Sequence, residues 1–215
     1  MRLARHQRPL SSNSTLIYPH MRHFIKSRLP AEDLADAGKL NLLLSGFWRQ
    51  DIVPVDDVVR SVDLLPGFHL EGLREIVYLP EYAPLTGAFS YPGLPCSRPK
   101  GEFVQRERRI FVYAFDDPAM FFQMLYHEIG HFVFYLIIGS RVKKRWVTEI
   151  FPDSRCVTPY AAVNAREDFA ETYAHYVRHP DFLERELPEK YAFMRDCVFS
   201  GRPETLKERV RGIPE

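Results

Sequence analysis

Between residues 31 and 62, Leu34, Leu40, Leu43 and Leu44, and then Val55, Val58, Val59 and Val62, recur at roughly helical spacing. The pattern predicts two helical segments, punctuated by Pro54. The run Arg74-Glu75-Ile76-Val77-Tyr78-Leu79 changes character and predicts a strand that Pro80 stops. Pro80, Pro84, Pro92, Pro95 and Pro99, with Gly87, Gly93 and Gly101, then predict a long irregular loop or short hairpin over 80–101. Phe103–Arg109 reads as an exposed strand. Ile110–Phe115 (IFVYAF) is apolar throughout, as expected of a strand covered on both faces.

Asp116-Asp117-Pro118 is a helix start, an aspartate N-cap followed by proline at the first helical position. The helix is expected from Pro118 to Ile138, with Gly139 as its stop. A second helix is expected to begin at Asn164, and others to cover 181–197 and 203–210. Helices, then strands, then helices make an α+β fold. The apolar stretch Ala119–Gly139 has the length of a membrane span. It carries His127, Glu128 and His131 near its middle, where a charge costs about 2.5–3.5 kcal/mol on insertion scales. The next apolar run, Leu40–Leu44, is too short to supply a companion span. A buried central helix with no membrane span is the expectation.

The 215 residues suit one domain. With 29 Lys+Arg against 28 Asp+Glu, the net charge of +1 argues against nucleic acid or a polybasic membrane contact as partner. Cys96, Cys156 and Cys197 are odd in number and widely spaced, which excludes a disulfide framework and a cysteine zinc finger. Cys96 reads as an ordinary loop thiol. No acid precedes Glu32, while Arg2, Arg5, Arg8, Arg22, Lys26 and Arg28 do. Residues 1–30 are therefore expected to form a basic arm, and 31–215 a single domain. Ser11-Ser12-Asn13-Ser14 stands where a secretory signal would need its apolar core, so a cytoplasmic location is expected, an organellar transit segment being the compositional alternative.

The apolar helix contains His127-Glu128-Ile129-Gly130-His131, an H-E-x-x-H. Positions i and i+4 share a helical face, so both imidazoles can meet one ion. Glu128, one position round, can hold a metal-bound water and take its proton. With 8 His among 215 residues, shuffling yields this motif in only about 0.02 sequences. A buried glutamate between two histidines needs partners, and a metal supplies them for all three. A third histidine in the metzincin manner is excluded, because Phe134 and Ile137 stand where Gly and His would be required. Glu167, Glu171 and His175 lie at i, i+4 and i+8 on the following helix and are the alternatives.

H-E-x-G-H followed by Tyr160-x(6)-Glu167-x-Phe169-Ala170-Glu171 resembles the anthrax lethal factor-type metallopeptidases and, with them, the Pro-Pro endopeptidases and Mlc titration factor peptidases. The match covers about residues 118–178. It implies a zincin-like (gluzincin) catalytic domain: a small mixed sheet, the buried H-E-x-x-H helix and a C-terminal helical part. It implies one Zn2+ per chain held by His127, His131 and Glu167, with Glu171 as a supporting residue near the metal. Glu128 would be the general base and the Tyr160 hydroxyl would face the scissile carbonyl of a protein or peptide substrate. That substrate would lie extended along an edge strand, either Phe103–Arg109 or Ala88–Tyr91. Asn164-x-x-Glu167 is also a capping box, which competes for the same carboxylate. Asp168 is expected to point away and cap or solvate the first turn. The functional expectation is a zinc metalloendopeptidase. An ImmA/IrrE-type regulatory peptidase shares H-E-I-G-H, but its second motif and DNA-reading helix are not matched. A catalytically idle zincin-like binding module would be expected to have lost the base, and Glu128 is intact.

Overall fold

Ile110 and Val112 face one side of their strand and Phe111 faces the other, and all three are buried. A strand apolar on both faces belongs inside a sheet with cover on each side. In a computed structural model, residues 34–36, 42–80, 100–151 and 155–200 are described. They contain the strands β1 (Leu34–Asp36), β2 (Leu43–Ser45), β3 (Glu75–Tyr78), β4 (Gly101–Val104) and β5 (Arg109–Val112). The sheet order is β1-β2-β3-β5-β4. β2, β3 and β5 run parallel, and β1 and β4 are antiparallel strands at the two edges. A turn through Arg108, whose φ is 55°, closes the β4–β5 hairpin. The chain is therefore compatible with the expected α+β class and has a small mixed sheet, although its first elements are strands where helices were expected.

The helices are α1 (Val55–Asp63), α2 (Pro118–Phe132), α3 (Ser140–Arg145), α4 (Ala165–Arg178), α5 (Pro180–Glu186) and α6 (Pro188–Phe193). The Asp117 carboxylate accepts the Met120 N–H at 2.7 Å and Pro118 opens α2, as expected of this start. Asn164 likewise caps α4, accepting from the Arg166 and Glu167 N–H groups. On α1, Val58 and Val62 are buried, and the Tyr126 hydroxyl of α2 donates to the Ser61 carbonyl at 3.0 Å. α2 packs between the sheet and α4, so its middle turns are enclosed on most sides. At Gly130 α2 lies tight against α4: a Cβ there would lie 2.9 Å from the Ala170 Cα and 3.1 Å from the Tyr173 Cβ. Among the described residues, no helix is long and apolar enough to cross a membrane.

Several expectations are corrected. Leu34–Asp36 and Leu43–Ser45 are strands rather than a helix, because a three-residue strand is too short to show a period that contradicts a helical reading. The exposed strand expected over Phe103–Arg109 is a strand end, a turn and the first residue of β5. After Phe132, a wider π-helical turn runs through Ile137, and the chain becomes extended at Ile138. Gly139, also extended, precedes α3 and a second π-turn over Trp146–Ile150, where no helix was expected. The segment expected as one helix over 181–197 is broken at Leu187, whose successor Pro188 starts a new helix. Asp168 does not solvate the first turn of α4. It is fully buried and accepts from the equally buried Lys190 Nζ of α6 at 2.5 Å, with the ammonium 5.8 Å from the Trp146 ring centroid. The basic arm over 1–30, the loop thiol Cys96, the alternative edge strand Ala88–Tyr91 and the helix expected over 203–210 all lie outside the described residues.

Candidate metal centre

α2 presents His127 and His131 one turn apart, with ring centroids 4.7 Å from each other and planes nearly perpendicular. From α4, one carboxylate oxygen, Glu167 Oε2, lies 3.3 Å from His127 Nε2 and 3.2 Å from His131 Nε2. The ligand-capable atoms of these three residues all fall within 4.8 Å of one another, and this buried group can hold a metal ion. A tetrahedral ion with bonds of about 2.0–2.1 Å has ligand-to-ligand edges of about 3.3–3.4 Å, which the two measured separations match. The capping and ligand-like roles of Glu167 do not compete. Asn164 caps the helix with its own side chain, leaving the Glu167 carboxylate turned toward the histidines.

Glu171, one helical turn on from Glu167, meets the other side of the same imidazole: its Oε1 is 2.8 Å from His127 Nδ1. An ionised carboxylate only accepts, so the Nδ1–H donates, and Nε2 is left to face Glu167 and His131. The second oxygen of Glu171 accepts from the Thr158 hydroxyl at 3.1 Å. His175, the last of the three candidates on this stripe, is turned away from the group and bonds through Nδ1 to the Glu171 carbonyl. His131 Nδ1 is buried with no hydrogen-bond partner among the described residues, so its ring is held by packing against His127 and Tyr135.

Burial opposes charge on His127, but the Glu167 and Glu171 carboxylates outweigh it and push its pKa up to about 10. Burial likewise opposes charge on Glu167, yet its bonds to His127 and His131 hold the carboxyl well below the usual carboxylate range. Glu171 is lowered against its own burial by His127 and by the Thr158 hydroxyl. Glu128 behaves oppositely. It is 7 % exposed, and desolvation raises its pKa despite the nearby imidazoles and the Phe103 main chain, which lower it. Two carboxylates suited to stay ionised thus stand beside one suited to carry a proton.

Glu128 lies close enough to β4 to feel the Phe103 main chain. The Tyr113 N–H donates to the Lys100 carbonyl, so hydrogen-bonded pairs alternate through 102/111 and 104/109. The main-chain groups of Phe103 therefore point off the sheet edge, toward the histidine helix. Tyr160 begins the 3-10 turn Ala161–Val163; it is 39 % exposed, with its ring centroid 5.8 Å from that of His127. All six residues expected from the sequence thus gather in one place. Two further contributors were not expected. Phe103 acts through its main chain, which leaves no side-chain signal. Thr158 has the spacing of a local turn cap for the Ala161 N–H, but nothing in the sequence ties it to a carboxylate thirteen positions on. No protein-family model matches the chain, and no curated protein matches it at a significant level.

Proposed function

We propose that this chain is a zinc-dependent metalloendopeptidase of the zincin-like (gluzincin) type, acting on a protein or peptide substrate. The observation that carries the reading is the meeting of His127, His131 and Glu167, whose Oε2 stands from both Nε2 atoms at the edge length of a tetrahedral ion, with Glu128 on the adjoining helical position. Two nitrogens and one oxygen, without thiolate, form the donor set of a zinc site with a position open to water. Bound there, zinc would lower the pKa of that water to about 7 and polarise the scissile carbonyl.

The chain's own residues supply the rest. Glu171 fixes the tautomer and rotation of His127, so that Nε2 is the nitrogen directed at the ligand group. Glu128 takes the proton of the attacking water and returns it to the leaving amine. Its burial favours the protonated state that this second transfer needs. The Tyr160 hydroxyl donates toward the oxygen on which negative charge develops. The outward-facing main chain of β4, an edge strand among the described residues, offers an extended peptide a strand to pair with beside Glu128.

The test is metal content and cleavage together. Purified protein should carry about one zinc per chain and cut members of a proteome-derived peptide library, read by mass spectrometry. Glu128→Gln should keep the zinc and lose the cleavage. Zinc content unaltered by His131→Ala would refute the site. Full zinc with no cleavage of any peptide would refute the activity.

A further inference from the structure

The Thr158 hydroxyl has two partners that belong to different parts of the centre. It accepts the Ala161 N–H at 3.1 Å, which closes the turn that carries Tyr160. A hydroxyl has one proton to give, and this one goes to Glu171 Oε2, also at 3.1 Å. The other oxygen of Glu171 holds His127 Nδ1 at 2.8 Å, and His127 Nε2 faces Glu167 Oε2. Two further main-chain bonds, Ala162 N–H to the Pro159 carbonyl and Val163 N–H to the Tyr160 carbonyl, make this turn a single unit. That unit runs directly into the Asn164 cap of α4, the helix that bears both glutamates. One side chain therefore stands between the group expected to hold a metal and the tyrosine expected to face the substrate.

We infer that Thr158 is a positioning residue that couples metal occupancy to the placement of Tyr160. The inference rests on the metal reading above and adds a residue and a linkage to it. A metal on Nε2 fixes the His127 ring, the ring fixes Glu171, and Glu171 orients the Thr158 hydroxyl so that its lone pair meets the Ala161 N–H. Coupling of this kind is reciprocal. Loosening the turn must weaken the metal, and removing the metal must loosen the turn. Both bonds to Thr158 are made by its hydroxyl and none by its methyl, so serine should replace it and valine, of the same shape, should not.

The experiment uses the full chain, with Zn2+ and Co2+ as the metals. Metal affinity is measured by chelator competition, the cobalt absorption spectrum reports ligand geometry, and hydrogen exchange of the Ala161 amide reports the turn. Thr158→Val should weaken zinc binding about tenfold, the lower end for a residue that orients a ligand. In the unsubstituted chain, metal should slow exchange at Ala161. In Thr158→Val, that amide should exchange fast with or without metal. Thr158→Ser should restore both the affinity and the response. Equal impairment of the Ser and Val variants would overturn the inference, since shape rather than the hydroxyl would then matter. So would a Val variant with undiminished affinity and an intact Ala161 response. An unsubstituted chain that takes up no metal would overturn the proposed function and this inference with it, whereas uptake with an indifferent Val variant overturns this inference alone.

Discussion

Glu167 and Glu171 are the same residue type one turn apart on one helix, and their surroundings separate their work. Glu167 Oε2 touches both Nε2 atoms, whereas Glu171 reaches only the far nitrogen of His127 and spends its second oxygen on Thr158. Glu167→Gln should therefore abolish stoichiometric zinc. Glu171→Gln should keep it with an affinity weaker by about 10–100-fold, as for other outer partners of metal-binding histidines. Competition against a graded series of chelators measures both; the opposite ranking would exchange the two roles. His69, far from this chemistry, makes a prediction about stability. It is fully buried, and as a neutral ring it accepts from the Tyr173 hydroxyl at Nδ1 and donates from Nε2 to the Val198 carbonyl. Burial lowers its pKa to about 4, the Val198 bond opposing. A histidine depressed on folding leaves the unfolded chain holding more protons between pH 6.5 and 4. Its contribution is therefore complete above pH 6.5 and is lost as pH falls through that window, by about 3 kcal/mol in all. Urea unfolding at pH 7 and pH 4 should show this loss, and His69→Gln should lack that part of the slope.

α2 and α4 are joined closely at Gly130, and the spacing of the ligand group depends on it. A Cβ at 2.9 Å from the Ala170 Cα meets backbone that has no flexible end to move aside. Gly130→Ala should cost about 1–3 kcal/mol as an overpacked contact. It should also push Glu167 away from the histidines, so that zinc affinity falls more than for an alanine placed elsewhere on α2. Unchanged zinc affinity would mean that the helices can part without disturbing the ligands. Both helices were legible in the sequence, since each carries its own start signal: Asp117-Pro118 for one and Asn164 for the other. The strands at Leu34 and Leu43 were not, because three-residue strands are too short for periodicity to distinguish from a helical stripe. Nor was the break at Leu187, since a proline near a helical pattern marks either a kink or a new start, and only the packing of α6 chooses. Asp168 was misread for a related reason. A first-turn acid is usually solvated, but Trp146 and α6 close over it and bring Lys190 as its partner.

The site joins two helices that are separated in sequence by two π-turns, α3 and a 3-10 turn among the described residues, so a metal there would clip distant parts of the chain together. A ligand that binds only the folded state at a hundredfold excess over its Kd adds about 2.7 kcal/mol of stability. For a chain of this size that is roughly 5–10 °C in Tm. Chelation should lower the melting temperature by that amount and readdition of zinc restore it; a Tm indifferent to chelator would argue against a structural link between metal and fold. The sequence by itself determined the local chemistry. His127 and His131 share a face because the helical period puts them there, Glu128 flanks them for the same reason, and Asn164 caps a helix wherever that helix lies. It also determined the α+β class, through patterns that change period along the chain. What only the tertiary structure decided is every relation across distance. These are which of three stripe residues reaches both histidines, that the edge strand lies beside Glu128, that Thr158 holds Glu171, and that Asp168 is buried against Lys190. Such relations depend on how close two backbones come and on what covers them. Local propensity is indifferent to both, and packing against Gly130 and around Trp146 sets them.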